Sequence, residues 1–332
     1  MKAIYLEAIN KPFTLIEKEK PSAGPGEAVV QVKAAALNHR DVWIQYGRYF
    51  TKDYPAILGS DCAGIVTEVG EGVDKMWLGK EVIVDPSSDW GDNLRAQGKE
   101  FKVLGMPEDG AFAEYVKVQA ANLHEKPEHL TFEEAAALPL GGVTAYRAMF
   151  TKCGLQAGDK VLVTGAGGGV ALFAIQFAAA VGAEVWVTSG SDEKIGLALD
   201  LGATDGINYK SEGWGKALKE KAGGFDVIID GAAGEGFVQL VKLAKPGGRI
   251  GMYGGTTGMI GQLNPAEIFW KQLAIHGSTM GTAQDFAEMV RLVDEKGIKP
   301  VVDIVFPLEK TEEAMRYMEA GKQFGKIVVR ID

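Results

Sequence analysis

The sequence predicts an α/β protein in which a mostly β N-terminal stretch is followed by a doubly wound parallel sheet. Three observations predict it. Val161-Leu-Val163 is a short apolar run, followed by the glycine turn Gly165-Ala-Gly-Gly-Gly169, an apolar segment from Val170 that Gly182 closes, and a second apolar run, Glu184-Val-Trp-Val-Thr188. That order is strand, turn, helix, strand, with strands buried on both faces. Two further apolar runs, Gly224-Phe-Asp-Val-Ile-Ile-Asp230 and Gly247-Gly-Arg-Ile-Gly-Met-Tyr-Gly-Gly255, end in glycine turns as central parallel strands do. Upstream, residues 1–125 are rich in short runs such as Ala28-Val-Val-Gln-Val-Lys-Ala, which alternates as a half-buried strand does.

Taken in order, Met1-Lys-Ala-Ile-Tyr-Leu-Glu reads as a strand and not as a signal peptide. Residues 59–70, 80–85 and 110–118 read as further strands. Residues 86–105 are polar and aperiodic, a long loop of the kind that is functional or disordered in compact domains. Thr131 with Glu134 three residues on is a capping box that opens a helix. Residues 142–150, 265–272, 283–297 and 308–321 read as helices, 273–276 as a strand, and 324–330 as the closing strand.

The glycine turn implies chemistry. A helix N-terminus presents free N–H groups and the positive end of the helix dipole, so it holds a pyrophosphate. The run fits G-x-G-x-x-G/A in either of two registers. Counted from Gly165 and Gly167 the third position is Val170; counted from Ala166 and Gly168 it is Ala171, which packs the helix on the strand and is the preferred reading. Ligands bind beyond the carboxyl ends of such strands, so Gly231 and Ala232 after Asp230, and Tyr253, Gly254 and Gly255, should face the cofactor. An NAD-binding unit places an acid some 20 residues past the glycines; here that position is Ser189, which does not repel a 2′-phosphate and can donate a hydrogen bond. Lys194 adds positive charge nearby. These favour NADPH/NADP over NADH, with the alternative that Ser191 caps the helix and Lys194 is a solvated surface lysine.

The chain has 332 residues, 46% hydrophobic and 24% charged, with a net charge of −9. That length suggests two domains. An acidic balance without a basic stripe argues against nucleic-acid binding, and no apolar run is long enough to cross a bilayer. The two cysteines, Cys62 and Cys153, are too few for a disulfide framework or a four-thiolate zinc site and read as buried small hydrophobes. A cytoplasmic protein is the expectation.

The order of motifs resembles the medium-chain dehydrogenase/reductase superfamily over essentially the full length. The motifs are Asn38-His-Arg-Asp41, Gly59-Ser-Asp-Cys-Ala-Gly64, Asp109-Gly-Ala-Phe-Ala-Glu114, Leu138-Pro-Leu-Gly-Gly-Val-Thr-Ala-Tyr146, the glycine turn, Gly202-Ala-Thr, Gly247-Gly-Arg and Gly325-Lys-Ile-Val. The resemblance implies a Rossmann domain, residues 126–271, inserted in a mostly-β GroES-like catalytic domain made of residues 1–125 and 272–332. The alcohol dehydrogenase branch carries catalytic zinc on a Cys, the His of a Gly-His-Glu and a later Cys. The matching positions are Asn38, Ser60 and Leu140, none of which offers a thiolate or imidazole. The chain therefore resembles the zinc-independent quinone-oxidoreductase-like branch, and no metal site is expected; its 86–110 region also resembles bacterial proteins labelled zinc-type alcohol dehydrogenase-like. His39 beside Arg40 reads as a satisfied polar residue.

Carried over by that resemblance, Gly167, Gly168, Gly169 and Val170, with Ala166 before them, hold the pyrophosphate, and Ser189, Lys194 and Tyr209 hold the 2′-phosphate. Asn38 lies near the nicotinamide, with Asp41 in the same turn. Tyr49 lines the substrate cleft, Thr144 lies where the cofactor amide is approached, and Lys326 contacts the cofactor. Asp41 read without the resemblance is equally a structural turn cap, and Tyr49 a core aromatic. Asn38, Asp41 and Tyr49 are the expected catalytic residues. The expected reaction is hydride transfer from NADPH to a quinone or α,β-unsaturated carbonyl. An enoyl-thioester reductase and a non-catalytic NADPH-binding sensor are the alternatives. Relatives pair the last strand of the Rossmann sheet across a two-fold axis, and the apolar stretch 268–276 implies the same homodimer here.

Overall fold

The computed structural model describes residues 1–49 and 54–332, which divide into two compact units: residues 1–140 with 282–332, and residues 141–281. The sequence places the joins instead at 125/126 and 271/272. Residues 126–140 stay with the first unit because the helix Phe132–Ala137 packs on the strands Glu27–Ala36, Asp61–Val69 and Lys326–Arg330. Residues 272–281 stay with the second because Ala274–Gly277 pairs in parallel with Ala244–Met252.

In the first unit the strands run Val302–Pro307, Lys326–Arg330, Glu27–Ala36, Asp61–Val69, Glu81–Val84, Leu123–Glu125 across the sheet. Glu27–Ala36 is the hub. Its first half pairs antiparallel with Tyr115–Gln119 and its last residues with Lys326–Arg330, while Asp61–Val69 runs along its whole length. Alternation puts Val30 and Val32 into a core shared with Leu58, Phe112, Met315 and Val329. Ala36 lies opposite both Asp61 and Val328, so the register itself gathers Asn38, Asp61 and Lys326 at one end of three neighbouring strands.

In the second unit all pairs are parallel, and the strand order is Asp205–Asn208, Glu184–Ser189, Lys160–Val163, Phe225–Asp230, Ala244–Met252, Ala274–Gly277. By sequence that is 3-2-1-4-5-6, the doubly wound dinucleotide-binding order, which reverses between Lys160–Val163 and Phe225–Asp230. The central strands are apolar because both faces are covered: Val161, Leu162, Val163, Val227, Ile228 and Ile229 are buried.

Element boundaries follow local chemistry. The Thr131 capping box forms as expected: the Thr131 hydroxyl accepts from the Glu134 N–H (3.2 Å) and the Glu134 carboxylate from the Thr131 N–H (2.9 Å). The helix expected at 142–150 instead starts at Pro139 and ends at Tyr146, then continues as a π-helix to Lys152. The 86–105 loop is ordered. Ser87–Ser88 pairs with Lys102–Val103, the Trp90 and Phe101 rings meet edge to face at 5.2 Å, and the Asn122 amide donates to the carbonyls of Asp85 and Ser87 (2.7 and 2.8 Å). The strand expected at residues 1–7 forms as Lys2–Tyr5, whereas Thr14–Glu17 and Val302–Pro307 alternate weakly in burial and escape the sequence reading. No helix among the described residues is long and apolar enough to cross a membrane.

Candidate active site

The first unit builds a buried polar cluster where its three strands meet. The Lys326 ammonium donates to Asn38 Oδ1 (2.7 Å) and to Asp61 Oδ2 (2.9 Å). Asn38 Nδ2 donates to the same Asp61 oxygen (2.9 Å), and the Leu140 N–H to Asp61 Oδ1 (2.7 Å). Asp61 is fully buried and Lys326 nearly so. Asp61 thus has three donors and one opposite charge, as a buried carboxylate needs. Sequence reading names Asn38 and Lys326 but not Asp61. Its one signal is an acid between Ser60 and Cys62 at the head of a small-residue strand, which says nothing about a partner 265 positions away.

Asp41 caps the first turn of its helix. Its Oδ2 accepts the Asn38 N–H at 2.8 Å across the first turn of the helix His39–Gln45, and it is fully buried. Burial pushes its carboxyl up to about 6, against the pull of Arg40. This is the geometry of the turn-cap alternative, and the other oxygen, Oδ1, is buried with no hydrogen-bond partner. His39 is exposed, its ring tilted against Trp43 at 6.2 Å.

Beside this cluster Arg40 is buried, 6% exposed. Its Nη1 donates to the Ser60 hydroxyl and to the Leu104 carbonyl (2.9 Å), and the Ser60 hydroxyl donates to the same carbonyl (2.7 Å). Tyr49, half-buried against the core, lies with its ring centroid 5.2 Å from the guanidinium carbon. It thus packs partly as a core aromatic and partly over the Arg40 guanidinium.

Zinc does not fit this donor set. The three positions that would ligate it carry a carboxamide, a hydroxyl and an alkyl side chain. The first is bonded by an ammonium (Lys326) and the second by a guanidinium (Arg40). A divalent cation would have to displace two fixed positive charges. Among the described residues no group of three or more His, Cys, Asp or Glu side chains is arranged to hold a metal.

The second unit carries the nucleotide-binding features. Lys160–Val163 ends on Thr164, whose hydroxyl donates to Asp230 Oδ1 (2.6 Å), while Asp230 Oδ2 accepts the Ala233 N–H (2.8 Å). Asp230 thereby locks the turn Gly231-Ala232 after its own strand. The glycine turn follows. Gly165 and Gly167 have φ of +70° and +125°, Gly168 is extended, and the helix runs from Gly169 to Ala180. The positive φ values fall on the first register's glycines, so Gly165 joins the turn. Ala171 is buried on the strand as the second register requires. A Cβ on Gly167 would lie 2.8 Å from Lys194 Cδ, so the turn is bare and the lysine stem crosses it. Such a cradle fits a pyrophosphate. The Thr144 hydroxyl fits a ligand too: it is buried and has no hydrogen-bond partner.

Ser189 closes its strand at 3% exposure, and its hydroxyl donates to the Ala166 carbonyl (3.0 Å). That bond ties the strand end to the glycine turn. Next to it, Gly190 is so closely flanked that a Cβ would meet the Tyr209 hydroxyl at 2.7 Å and Lys210 Cε at 2.9 Å. Tyr209 and Lys210 therefore flank the end of this strand, while Lys194 crosses the glycine turn, and the sequence reading does not name Lys210. Asp192, the nearby acid, is held by the Asn208 amide (3.1 Å), while Ser191 caps the helix by accepting the Lys194 N–H (3.4 Å). At the next two strand ends the Tyr253 ring lies on Gly231, where a Cβ would meet it at 2.5 Å. Gly254 abuts the Gly231 carbonyl, and Gly255 is exposed. Burial and the neighbouring Asp230 raise the Tyr253 phenol, so it stays protonated.

Residues 24–128 match the family model described as the alcohol dehydrogenase GroES-like domain, and residues 169–295 the one described as zinc-binding dehydrogenase. The chain is 36% identical to a zinc-type alcohol dehydrogenase-like protein of Leptosphaeria maculans over 96% of this chain and 95% of that protein. It is 32% identical to a quinone oxidoreductase of Rattus norvegicus, with 93% and 90% covered. Among solved structures, an NAD-dependent alcohol dehydrogenase superposes with a TM-score of 0.95 at 38% identity, with 100% of both chains covered.

Proposed function

The chain belongs to the medium-chain dehydrogenase/reductase superfamily, and we propose that within it this protein is an NADPH-dependent oxidoreductase that passes hydride to a quinone or α,β-unsaturated carbonyl without catalytic zinc. The observation that carries the reading is the donor set. Asn38, Ser60 and Leu140 stand where the zinc branch has its ligands, and Lys326 and Arg40 bring positive charge to the first two. Without a metal to polarise an alcohol, the favoured acceptor is one already activated by conjugation. The bound dinucleotide supplies the hydride, and the protein supplies position and electrostatics. Asn38, held by Asp61 and Lys326, presents a fixed carboxamide edge. Tyr49 contributes an aromatic wall and a hydroxyl, the bare turn 165–169 with Val170 takes the pyrophosphate, and Thr144 offers an uncommitted hydroxyl.

The test follows cofactor oxidation by absorbance with a chelator present, against quinones, enones, aldehydes and an enoyl thioester. Chelator-insensitive turnover of a quinone or enone supports the reading. Alcohol turnover that the chelator abolishes sinks it, and turnover of the thioester alone moves the substrate class.

The NADPH preference rests on Tyr209 and Lys210 at the Ser189 strand end and on Lys194 across the glycine turn. A hydrogen bond to a charged group contributes about 1.5–3 kcal/mol. Lys194→Ala should therefore raise KM for NADPH roughly tenfold or more and leave KM for NADH within about twofold. Equal effects on both cofactors, or a wild-type preference for NADH, would remove the 2′-phosphate role. A cytoplasmic homodimer is part of the same proposal. The edge strand Ala274–Gly277 pairs on one side with Ala244–Met252, and Ile275 and Trp270 are exposed near it. Sedimentation equilibrium should give twice the chain mass, and a concentration-independent monomer would reject it.

A further inference from the structure

Arg40 is a buried cation that forms no ion pair among the described residues. Guanidinium keeps its charge at any accessible pH, and taking it out of water costs several kcal/mol unless an opposite charge or a full set of acceptors compensates. Here the acceptors are neutral. Nη1 bonds the Ser60 hydroxyl and the Leu104 carbonyl, while Nε is buried with no hydrogen-bond partner. No carboxylate forms an ion pair with it among the described residues. The fully buried Asp41 attracts it through space, but Asp41's hydrogen bond goes to the Asn38 N–H. The face of Tyr49 completes the cradle at 5.2 Å. Asp41 offsets part of the charge through space, but every hydrogen bond and the π-face are neutral, so the guanidinium keeps donor capacity for an anion that arrives later.

We propose that the Arg40 guanidinium is the electrophilic group of the acceptor site, receiving the oxygen anion that hydride transfer creates. The proposal rests on the reductase reading above and names the acceptor class more closely: a carbonyl oxygen conjugated to the carbon that takes hydride. The reduced dinucleotide, when bound, would supply a hydride whose electron pair becomes the C–H bond at the acceptor's β-carbon. The C=C pair moves to the Cα–carbonyl bond, and a carbonyl pair moves onto oxygen. The resulting enolate, or the phenolate in the quinone case, is stabilised by Arg40 until solvent protonates it. The nicotinamide is oxidised and the acceptor reduced by two electrons. Ser60 and Leu104 are positioning residues in this scheme: they fix the guanidinium and do not touch the acceptor.

The test uses the full chain as wild type, Arg40→Met and Arg40→Lys, with two readouts. In steady state, removal of an oxyanion donor costs on the order of 100-fold. Arg40→Met should lower kcat/KM for enones by about that factor, mostly through kcat, and Arg40→Lys should restore part of it. Independently of turnover, 4-nitrophenol titrated into the protein with oxidised cofactor reports the anion site. The wild type should move its phenol–phenolate midpoint down by about one pH unit, and Arg40→Met should return it to the free value. An Arg40→Met protein that melts like wild type, keeps kcat/KM within about threefold and shifts the dye equally would overturn the proposal. If Arg40→Met does not fold, an unshifted dye on the wild type would overturn it alone. A wild type that reduces neither quinones nor enones but shifts the dye, with the shift lost in Arg40→Met and partly kept in Arg40→Lys, would sink the reductase reading and uphold the anion site.

Discussion

Lys326→Met is expected to cost about 3–5 kcal/mol of stability, the loss that follows when one partner of a buried ion pair is removed. In a chain of this size that lowers the melting temperature on the order of 10 °C. The magnitude comes from what remains. Asp61 is fully buried, and without the ammonium it keeps two neutral donors, Asn38 Nδ2 at 2.9 Å and the Leu140 N–H at 2.7 Å. Asn38 also loses the donor on its Oδ1, which was 2.7 Å away. Asp61→Asn removes the charge that the lysine compensates and should be costly alone, because it strands the ammonium. Together the two changes leave neither charge, so the double variant should be more stable than either single one. A coupling of about 1–3 kcal/mol is expected for groups in direct contact. Melting curves for the four proteins at one pH decide it. Strictly additive losses would mean that the pair is incidental and that Asn38 is oriented by something else.

The glycine turn and the central strands were legible because their signals are local. Two-sided burial writes a continuous apolar run at 161–163 and 227–229, and a bare turn writes glycines. What resisted reading was pairing across the sheet. Lys326 stood out only as a lysine after Gly325, and Asp61 only as an acid among small residues. Their contact depends on the register that sets Ala36 opposite both Asp61 and Val328. Sequence gives the position of the Ser189 hydroxyl and not its proton's direction. The Ala166 carbonyl takes that proton. Arg40 was passed over beside His39. Nothing in Asn38-His-Arg-Asp41 tells that the arginine turns inward to Ser60 and Leu104, and that the histidine stays outside. The compact units join at 140/141 and 281/282 and not at the expected 125/126 and 271/272 for a related reason. Ala274–Gly277 looks like any short strand until its partner is known.

Asp85→Asn should stabilise the protein at alkaline pH and have little effect in acid. Asp85 follows the strand Glu81–Val84 at 2% exposure, and one of its oxygens accepts the Ser87 N–H at 2.9 Å. Burial is the main cause that pushes its carboxyl up to about 8. The Ser87 N–H opposes the shift, and the charge of Asp285 adds to it. Asp285 is itself fixed by the Thr282 N–H and hydroxyl, each at 2.8 Å, so it cannot turn away. An acid whose folded value lies above its unfolded one, about 4, binds a proton on folding between the two. Below about pH 4 both states are protonated and Asp85 contributes nothing. Stability then falls as pH rises from about 4 to about 8, at up to about 1.4 kcal/mol for each unit, and above 8 the full cost stays. Asparagine titrates in neither state. Its Oδ1 can keep the Ser87 bond, and its amide faces the acidic Asp285. The difference between the two stability curves should therefore be near zero at pH 4, grow through neutrality to several kcal/mol, and level off above 8. His124, whose imidazole burial holds below its ordinary value, is common to both proteins and cancels in that difference. Denaturant midpoints at pH 4.5, 6, 7.5 and 9 would trace the curve. A constant offset across that range would mean that Asp85 is ionised in the folded protein throughout, with its charge met by a cation or water that reaches it beneath the 86–105 loop.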